Sequence, residues 1–318
     1  MAKATSEVPI DPALVPPLDE SLLTLDDEEK KFLHSSVTPD DVELKRRILE
    51  VQTSAYQQQP YPCIRGFHFV KLFMHTHPVY PEVLTAGKAG RTIFLDLGCC
   101  MGNEVRKLVC DGYPRTKVTG SDLRQEFIEH GYGLFQDKGQ CTIHFFASDI
   151  FEMPYPFPAD QAPAGPLDIG KVTEMKQLYG KVDHIYAGMF FHLFDESTQY
   201  ALALRVALLL KRKAGTVVFG RHQGLEEAGY IDDPVIRYDI PEPDVVWMVL
   251  NLPFNRQRYG HSVKSWHLLW KKVFSEVESP EFAESKVVVE ASLSEPFDPD
   301  VLRAHGPTRV LFWSIKIV

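Results

Sequence analysis

Between Ile93 and Leu108 the chain reads IFLDLGCCMGNEVRKL, and this stretch limits the architecture more than any other. An apolar run ends in Asp96, glycines follow at Gly98 and Gly102, and a segment of helical period comes next. A strand that turns on glycine straight into a helix lets backbone approach a ligand closely, because glycine has no Cβ in the way. The helix start adds amide hydrogens that have no intrahelical partner. The turn itself is Gly98-Cys99-Cys100-Met101-Gly102. The G-x-G-x-x-G spacing of a pyrophosphate cradle is missing, which argues against a nicotinamide oxidoreductase.

From Arg91 onward, apolar runs alternate with helix-length segments. Strands are predicted over 92–97, 116–121, 142–147, 182–187 and 215–220, with two more at 286–293 and 309–317. Helices over 103–111, 123–135, 195–212 and 262–276 lie between them. The alternation predicts an α/β, doubly wound, seven-stranded sheet with helices on both faces, parallel except for an antiparallel last strand. Upstream, Thr38 as cap, Pro39 at the first position and Leu44, Ile48, Val51 and Ala55 at helical spacing predict a helix over 39–57. The organisation expected is a loose acidic arm over 1–35, a helical extension over 36–90 and a main domain over 91–318. Insertions at 152–180 and 221–261 interrupt that domain. Aromatic insertions near the carboxyl ends of strands suit a substrate pocket, and they equally suit ordinary packed loops.

Asp96, Asp122 and Asp149 terminate three consecutive predicted strands at one edge of the sheet. A carboxylate where Asp122 stands can accept both hydroxyl protons of a ribose. Each acid alone reads as a helix cap or a solvated turn. Three in register favour a ligand site.

Composition narrows the function classes. A formal net charge of -9 disfavours a dedicated nucleic-acid binder. The longest apolar stretch, Tyr200 to Leu210, is interrupted by Arg205, so no membrane span is expected. The N-terminus has no apolar core behind positive charge, and five cysteines lack a framework spacing. A reducing, cytoplasmic setting without disulfides is the expectation. His75-Thr76-His77 has no companion pair at ligand spacing and reads as structural.

The turn Asp96-x-Gly98-x-Cys100-x-Gly102 resembles the D-x-G-x-G-x-G turn of class I S-adenosylmethionine-dependent methyltransferases, with Cys100 at the middle glycine. LDLGCCMGNEVRKLVCDGYP, GSDLRQEFIEHGYGLFQD and HFFASDIF are similar to the small-molecule methyltransferases of fungal secondary-metabolite clusters. Those that methylate a carboxylate on meroterpenoid intermediates match best. YPCIRGFHFV, VDHIYAGMFFHLFDESTQ and HSVKSWHLLWKKV fit the same group, and the first 35 residues lie outside the resemblance. It implies a Rossmann-like fold and S-adenosylmethionine as cofactor. The implied cofactor contacts are Asp96, Gly98, Cys100 and Gly102, then Asp122 with Leu123, Asp149 with Ile150 at the adenine, and Gly188 beside the methyl donor. The 36–90 extension then acts as a lid, with Tyr61 and Arg65 closing on the methionine carboxylate, or with Arg65 serving only as a surface partner of the acidic arm.

The activity expected is formation of a methyl ester on a carboxylate of a hydrophobic polyketide- or terpenoid-derived small molecule. A phenol or enol O-methyltransferase and a catalytically silent cofactor-binding subunit are the alternatives. No carboxylate lies between Ala187 and Phe194 to hold Mg²⁺, so metal independence is expected. His192 is the catalytic candidate, as a base for a hydroxyl or a neutral donor to a carboxylate, or else a histidine satisfying the backbone. A carboxylate leaving water needs a cationic or hydrogen-bonding partner. Arg221 and His222 after the fifth strand, and Arg237 and Trp247 in the aromatic insertion, are the substrate-side candidates. The oligomeric state is not fixed by the sequence, and a homodimer stays open.

Overall fold

The computed structural model describes residues 16–231, 258–294 and 309–318. Strands β1 (Phe94–Leu97), β2 (Val118–Asp122), β3 (His144–Ala147), β4 (His184–Gly188) and β5 (Thr216–Gly224) run parallel. The sheet order is β3-β2-β1-β4-β5-β9-β8, completed by β8 (Val287–Leu293) and β9 (Arg309–Ile317). β9 is antiparallel to both its neighbours, as the sequence predicts for the last strand. All four residues of β1 and the first four of β4 are buried, the near-continuous apolar pattern of parallel strands covered on both faces.

β5 is longer than predicted. It pairs with β9 along nine residues, from Thr216 opposite Ile317 to Gly224 opposite Arg309. Arg221 and His222 therefore lie within the strand and not after it, because β9 supplies hydrogen-bond partners past the ends of the parallel strands.

The connecting helices are α5 (Asn103–Cys110), α6 (Gln125–Phe135), α7 (Glu196–Leu209) and α8 (Val263–Val277). A short α9 (Pro280–Lys286) leads into β8. One core layer gathers Phe191, Trp266, Trp270, Phe274 and Trp313, each at most 1% exposed. Burying one such ring of ~200 Å² stabilises by about 5 kcal/mol before ordering entropy is subtracted. The 152–180 insertion is a series of 3₁₀ turns whose Met153, Val172, Met175 and Leu178 join this layer. Its packing is that of an ordinary hydrophobic loop.

The loose arm expected over 1–35 needs correction within its described part. Residues Asp27–Ser36 form helix α1, started by a capping box in which Asp26 Oδ1 accepts from the Glu29 amide and Glu29 Oε2 from the Asp26 amide. Buried Glu29 also accepts from Lys71 Nζ at 2.9 Å and from the Leu72 amide, which ties α1 to the chain ahead of β1. Helix α2 spans Asp41–Gln58, capped by Asp40 and not by Thr38, because the Asp40 carboxylate accepts from the Glu43 amide at 2.8 Å. Short α3 (Pro62–Arg65) and α4 (Tyr80–Lys88) follow. Phe32, Leu33, Leu44, Ile48, Ile64 and Phe67 pack with Met101, Phe127 and Phe135. The extension thus sits on α6 and on the turn after β1. Among the described residues no helix is long and apolar enough to cross a membrane.

Candidate active site

The turn after β1 is held by main-chain hydrogen bonds. Gly98 and Cys99 amides donate to the Ser121 carbonyl at 2.8 and 3.0 Å, and the Cys100 amide donates to Asp122 Oδ2 at 2.8 Å. Asp122 Oδ1 accepts from the Arg124 amide at 2.9 Å. Gly98, Cys100 and Gly102 have φ of 80°, 50° and 72°. Cys100 therefore takes the left-handed conformation that the middle glycine of such a turn provides, at the modest cost this carries for an L residue. A Cβ on Gly102 would stand 2.5 Å from the Phe145 ring, and one on Gly98 would stand 3.1 Å from Phe190. Both positions require glycine. Gly102 also starts α5 without a side-chain cap, leaving first-turn amides available.

Acids converge beneath this turn. Asp96 is 2% exposed and its Oδ2 has no hydrogen-bond partner. Burial first, and then the charges of Glu104 and Asp122, push its carboxyl well above the usual range. Glu104, in the first turn of α5, accepts from the Phe73 and Met74 amides through Oε1, while Oε2 is unpartnered. Burial raises its carboxyl to about 7. Asp122 is raised too, by burial, against the pull of the Arg124 and Cys100 amides. Such a set favours a positively charged ligand. The sequence reading passed over Glu104; an acid opening the helix behind a glycine turn was its signal.

The remaining predicted cofactor residues divide. Tyr61 packs edge-on against Phe127 at 5.8 Å beside Arg124 and Asp122. Leu123 is 57% exposed at the carboxyl end of β2. The Ser148 amide, at the end of β3, donates to the Asp122 carbonyl and brings that end alongside. Asp149 caps the turn Ile150–Glu152 by accepting from the Phe151 amide, and Ile150 is buried. Of the two readings of Arg65, its contacts fit the partner of the acidic arm. Its Nε donates to the Pro17 carbonyl at 2.8 Å and its charge acts on Asp19, so it serves the N-terminal segment.

The turn after β4 faces the turn after β1, at the switch point of the sheet where ligands bind in such folds. Gly188 leads into Met189, whose φ of 51° is held by a hydrogen bond from its amide to the Arg221 carbonyl. Phe190 lies against Gly98, and His192 follows, 5% exposed with Nδ1 unpartnered. The His192 ring stacks at 6.3 Å on His222, which accepts from Trp313 Nε1 at 2.9 Å and leaves Nε2 unpartnered. His261 bonds Ser265 Oγ through Nδ1, and its Nε2 is also orphaned. Burial holds His192 and His222 well below the usual histidine range and lowers His261 to about 4. All three imidazoles are neutral at pH 7. Arg221 stacks between Phe73 at 4.2 Å and Phe312 at 5.3 Å, near Glu104 and Tyr186. It faces the cofactor-side acids more than the histidines. Arg237 and Trp247 lie outside the described residues. His77 packs on Phe219 and accepts from the Val79 amide, a structural role.

A parallel sheet with an inserted antiparallel last strand, and a glycine turn fastened to an acid at the next strand end, define a class I S-adenosylmethionine-dependent methyltransferase. Residues 18–70 match a family model described as meroterpenoid methyltransferase N-terminal domain. That match includes part of the segment expected to carry no resemblance. O-methyltransferase phiE of Fungal sp. (strain ATCC 74256) is 33% identical over 77% of this chain and 69% of its own length. Methyltransferase adrK of Penicillium roqueforti is 31% identical, covering 73% and 70%. The asnovolin E/chermesin D methyltransferase nvfJ of Aspergillus novofumigatus is 30% identical with the same coverage. Among solved structures, the N-terminal domain of EvdMO1 with SAH bound aligns at a TM-score of 0.46 and 12% identity, over 85% of this chain and 96% of that one. The chain belongs to the family of fungal S-adenosylmethionine-dependent methyltransferases that includes phiE and adrK.

Proposed function

We propose that this enzyme forms a methyl ester on a carboxylate of a hydrophobic, meroterpenoid-type acid. The cofactor supplies an activated methyl group for in-line displacement, so the chain's task is alignment and exclusion of water. The glycine turn with Asp96, Asp122 and Tyr61 is assigned to binding it, Leu123 and Asp149-Ile150 to its adenine end, and the 36–90 extension to covering it. The orphaned oxygen of Asp96 supports this, since a buried acid gains from a cationic ligand.

The observation that carries the acceptor class is the neutrality of the histidines. An imidazole held well below its usual range is a weak base, poorly matched to a phenol with a pKa of ~10. A carboxylate is already ionised and needs no base. The neutral His192 instead donates an N–H to one acceptor oxygen, with His222 behind it. The similarity to the asnovolin E/chermesin D methyltransferase nvfJ and the matched family model support a meroterpenoid-type acceptor. The left-handed Cys100 keeps the turn intact, which removes the only sequence support for a silent subunit. Five free thiols suit a reducing, cytoplasmic setting.

The test is methylation of a panel of hydrophobic acids and phenols with methyl-labelled donor, followed by mild alkali. An ester releases labelled methanol; label retained as an ether would establish the phenol reading instead. His192→Ala is expected to lower turnover while leaving S-adenosylhomocysteine affinity within about twofold by calorimetry.

A further inference from the structure

Trp313 settles which ring nitrogen of His222 carries the hydrogen. An indole N–H only donates, so its 2.9 Å bond makes His222 Nδ1 the acceptor. The ring is neutral, and its one hydrogen therefore sits on Nε2, which is buried without a partner. His222 is 0% exposed, with Phe191, Trp266 and Trp313 around it. It lies too deep to touch an acceptor, so any effect on the acceptor passes through a neighbour.

That neighbour is His192. The two rings are 20° from parallel with centroids 6.3 Å apart, and His192 Nδ1 is likewise buried and unpartnered. No direct bond joins them. Two hydrogen bonds of ~2.9 Å that meet at one oxygen span about 5 Å, which rings at this separation allow. A third orphan is His261 Nε2. His261 follows strand β7 (Tyr259–Gly260), which pairs with β6 (Gly229–Tyr230), and it packs on the same Trp266 ring at 5.2 Å. Ser265 Oγ donates to the Ser262 carbonyl at 3.2 Å and so accepts from His261 Nδ1, which leaves Nε2 as an acceptor. Both His192 and His261 act electrostatically on His222. One donor and one acceptor of fixed sense thus adjoin His192 Nδ1. A water accepts the one and supplies two hydrogens, and buried waters make about three such bonds. Among the described residues no group of this kind is arranged to hold a metal ion.

We propose that a buried water joins these three rings, and that His222 is a positioning residue which fixes the tautomer of His192. The water accepts from His222 Nε2 and donates to His261 Nε2 and to His192 Nδ1. His192 then carries its hydrogen on Nε2, where it is offered to the acceptor oxygen. This rests on the reading above that His192 donates to the acceptor.

Long-range proton–nitrogen spectra of the full chain, labelled with ¹⁵N in histidine, read the tautomer of each ring. Loss of signals in His192→Ala and in His222→Phe identifies the two rings. Hydrogen on Nε2 of both is expected, and hydrogen on Nδ1 of either overturns the proposal. Turnover supplies the second arm, with an acceptor that the parent methylates. His222→Phe is expected to lower kcat/KM about tenfold, with S-adenosylhomocysteine affinity within about twofold. His222→Gln, whose amide can donate from the Nε2 position, should recover part of the loss. Adding His222→Phe to His192→Ala should cost nothing further. Parental kcat/KM in a folded His222→Phe, or an equal loss in both backgrounds, overturns the relay. Should His222→Phe fail to fold, His222→Gln identifies the ring and the parent spectra still decide. Undiminished turnover in His192→Ala overturns the reading beneath this one, and the relay with it.

Discussion

The two halves of the proposed site, the turn after β1 on the cofactor side and the histidines around β4 and β5 on the acceptor side, are built in opposite ways. On the cofactor side, the turn after β1 is satisfied by main-chain partners: Asp122 takes up the Cys100 and Arg124 amides, and Ser121 takes up those of Gly98 and Cys99. On the acceptor side, His192, His222 and His261 each keep one buried ring nitrogen without a partner, and Trp266 Nε1 is orphaned beside them. An unsatisfied buried polar group costs about 1–3 kcal/mol. The first half has a preformed main chain, its unmet capacity left to side chains beneath the turn such as Asp96 and Glu104. The second carries hydrogen-bonding capacity unmet within the chain, for oxygen atoms of water or an acceptor to use. Fixed geometry suits a cofactor shared across a family, and unmet capacity suits a substrate that differs from relative to relative.

The largest effect is expected where the preformed side tolerates least. Gly102→Ala places a Cβ against Phe145 at a positive φ, and a loss of about 3 kcal/mol in urea unfolding is expected, with S-adenosylhomocysteine binding abolished. Normal binding by this variant would break the contrast.

Glu104, like Asp96, is a cofactor-side acid that shares the acceptor side's trait of an unpartnered atom. Its carboxyl sits at about 7 in the fold against 4.5 when unfolded, so the folded chain holds the proton more tightly. The stability from this group is complete below pH 4.5 and fades as pH rises through 7. Glu104→Gln still accepts the Phe73 and Met74 amides and carries no charge. It should exceed the parent in stability above pH 7 by up to about 3 kcal/mol and match it at low pH. Melting curves at acid and alkaline pH decide this; equal differences at both would refute the buried-charge account.

The smallest effect is expected at Cys100. Cys100→Gly relieves a left-handed residue but loosens the unfolded chain, so stability should stay within about 1 kcal/mol of the parent. Cofactor affinity should not fall, since the amide that meets Asp122 remains. A large loss would mean that the thiol side chain, and not the main chain, shapes this half.

Much of the cradle was legible because its signals are local. The runs at 92–97 and 182–187 gave strands correct to within two residues, and the glycine turn and Asp122 lie in adjoining strand ends. Helix α1 was missed although Asp26 and Glu29 spell its capping box, because its apolar contacts, Phe32 and Leu33 against Phe135, are with residues far along the chain. For Arg65 the sequence left two readings open, a cofactor contact and a partner of the acidic arm, and its bond to the Pro17 carbonyl fits the second. Arg221 was read as a substrate contact from type and position alone, and it packs between the Phe73 and Phe312 rings, neighbours that sequence distance conceals.

Hydrophobic periodicity and glycine positions by themselves pointed to the parallel strands and the turn after β1, because each depends on residues within a few positions of one another; the cofactor and the class of chemistry came from the resemblance of those motifs to a known family. The charge state of the acceptor site was decided only by tertiary structure. Burial lowers all three imidazoles, that of His222 under Trp266 of α8 and Trp313 of β9, and the charge of Arg258 adds to it at His192. Desolvation and Coulomb forces act through space, so no reading along the chain could assign them.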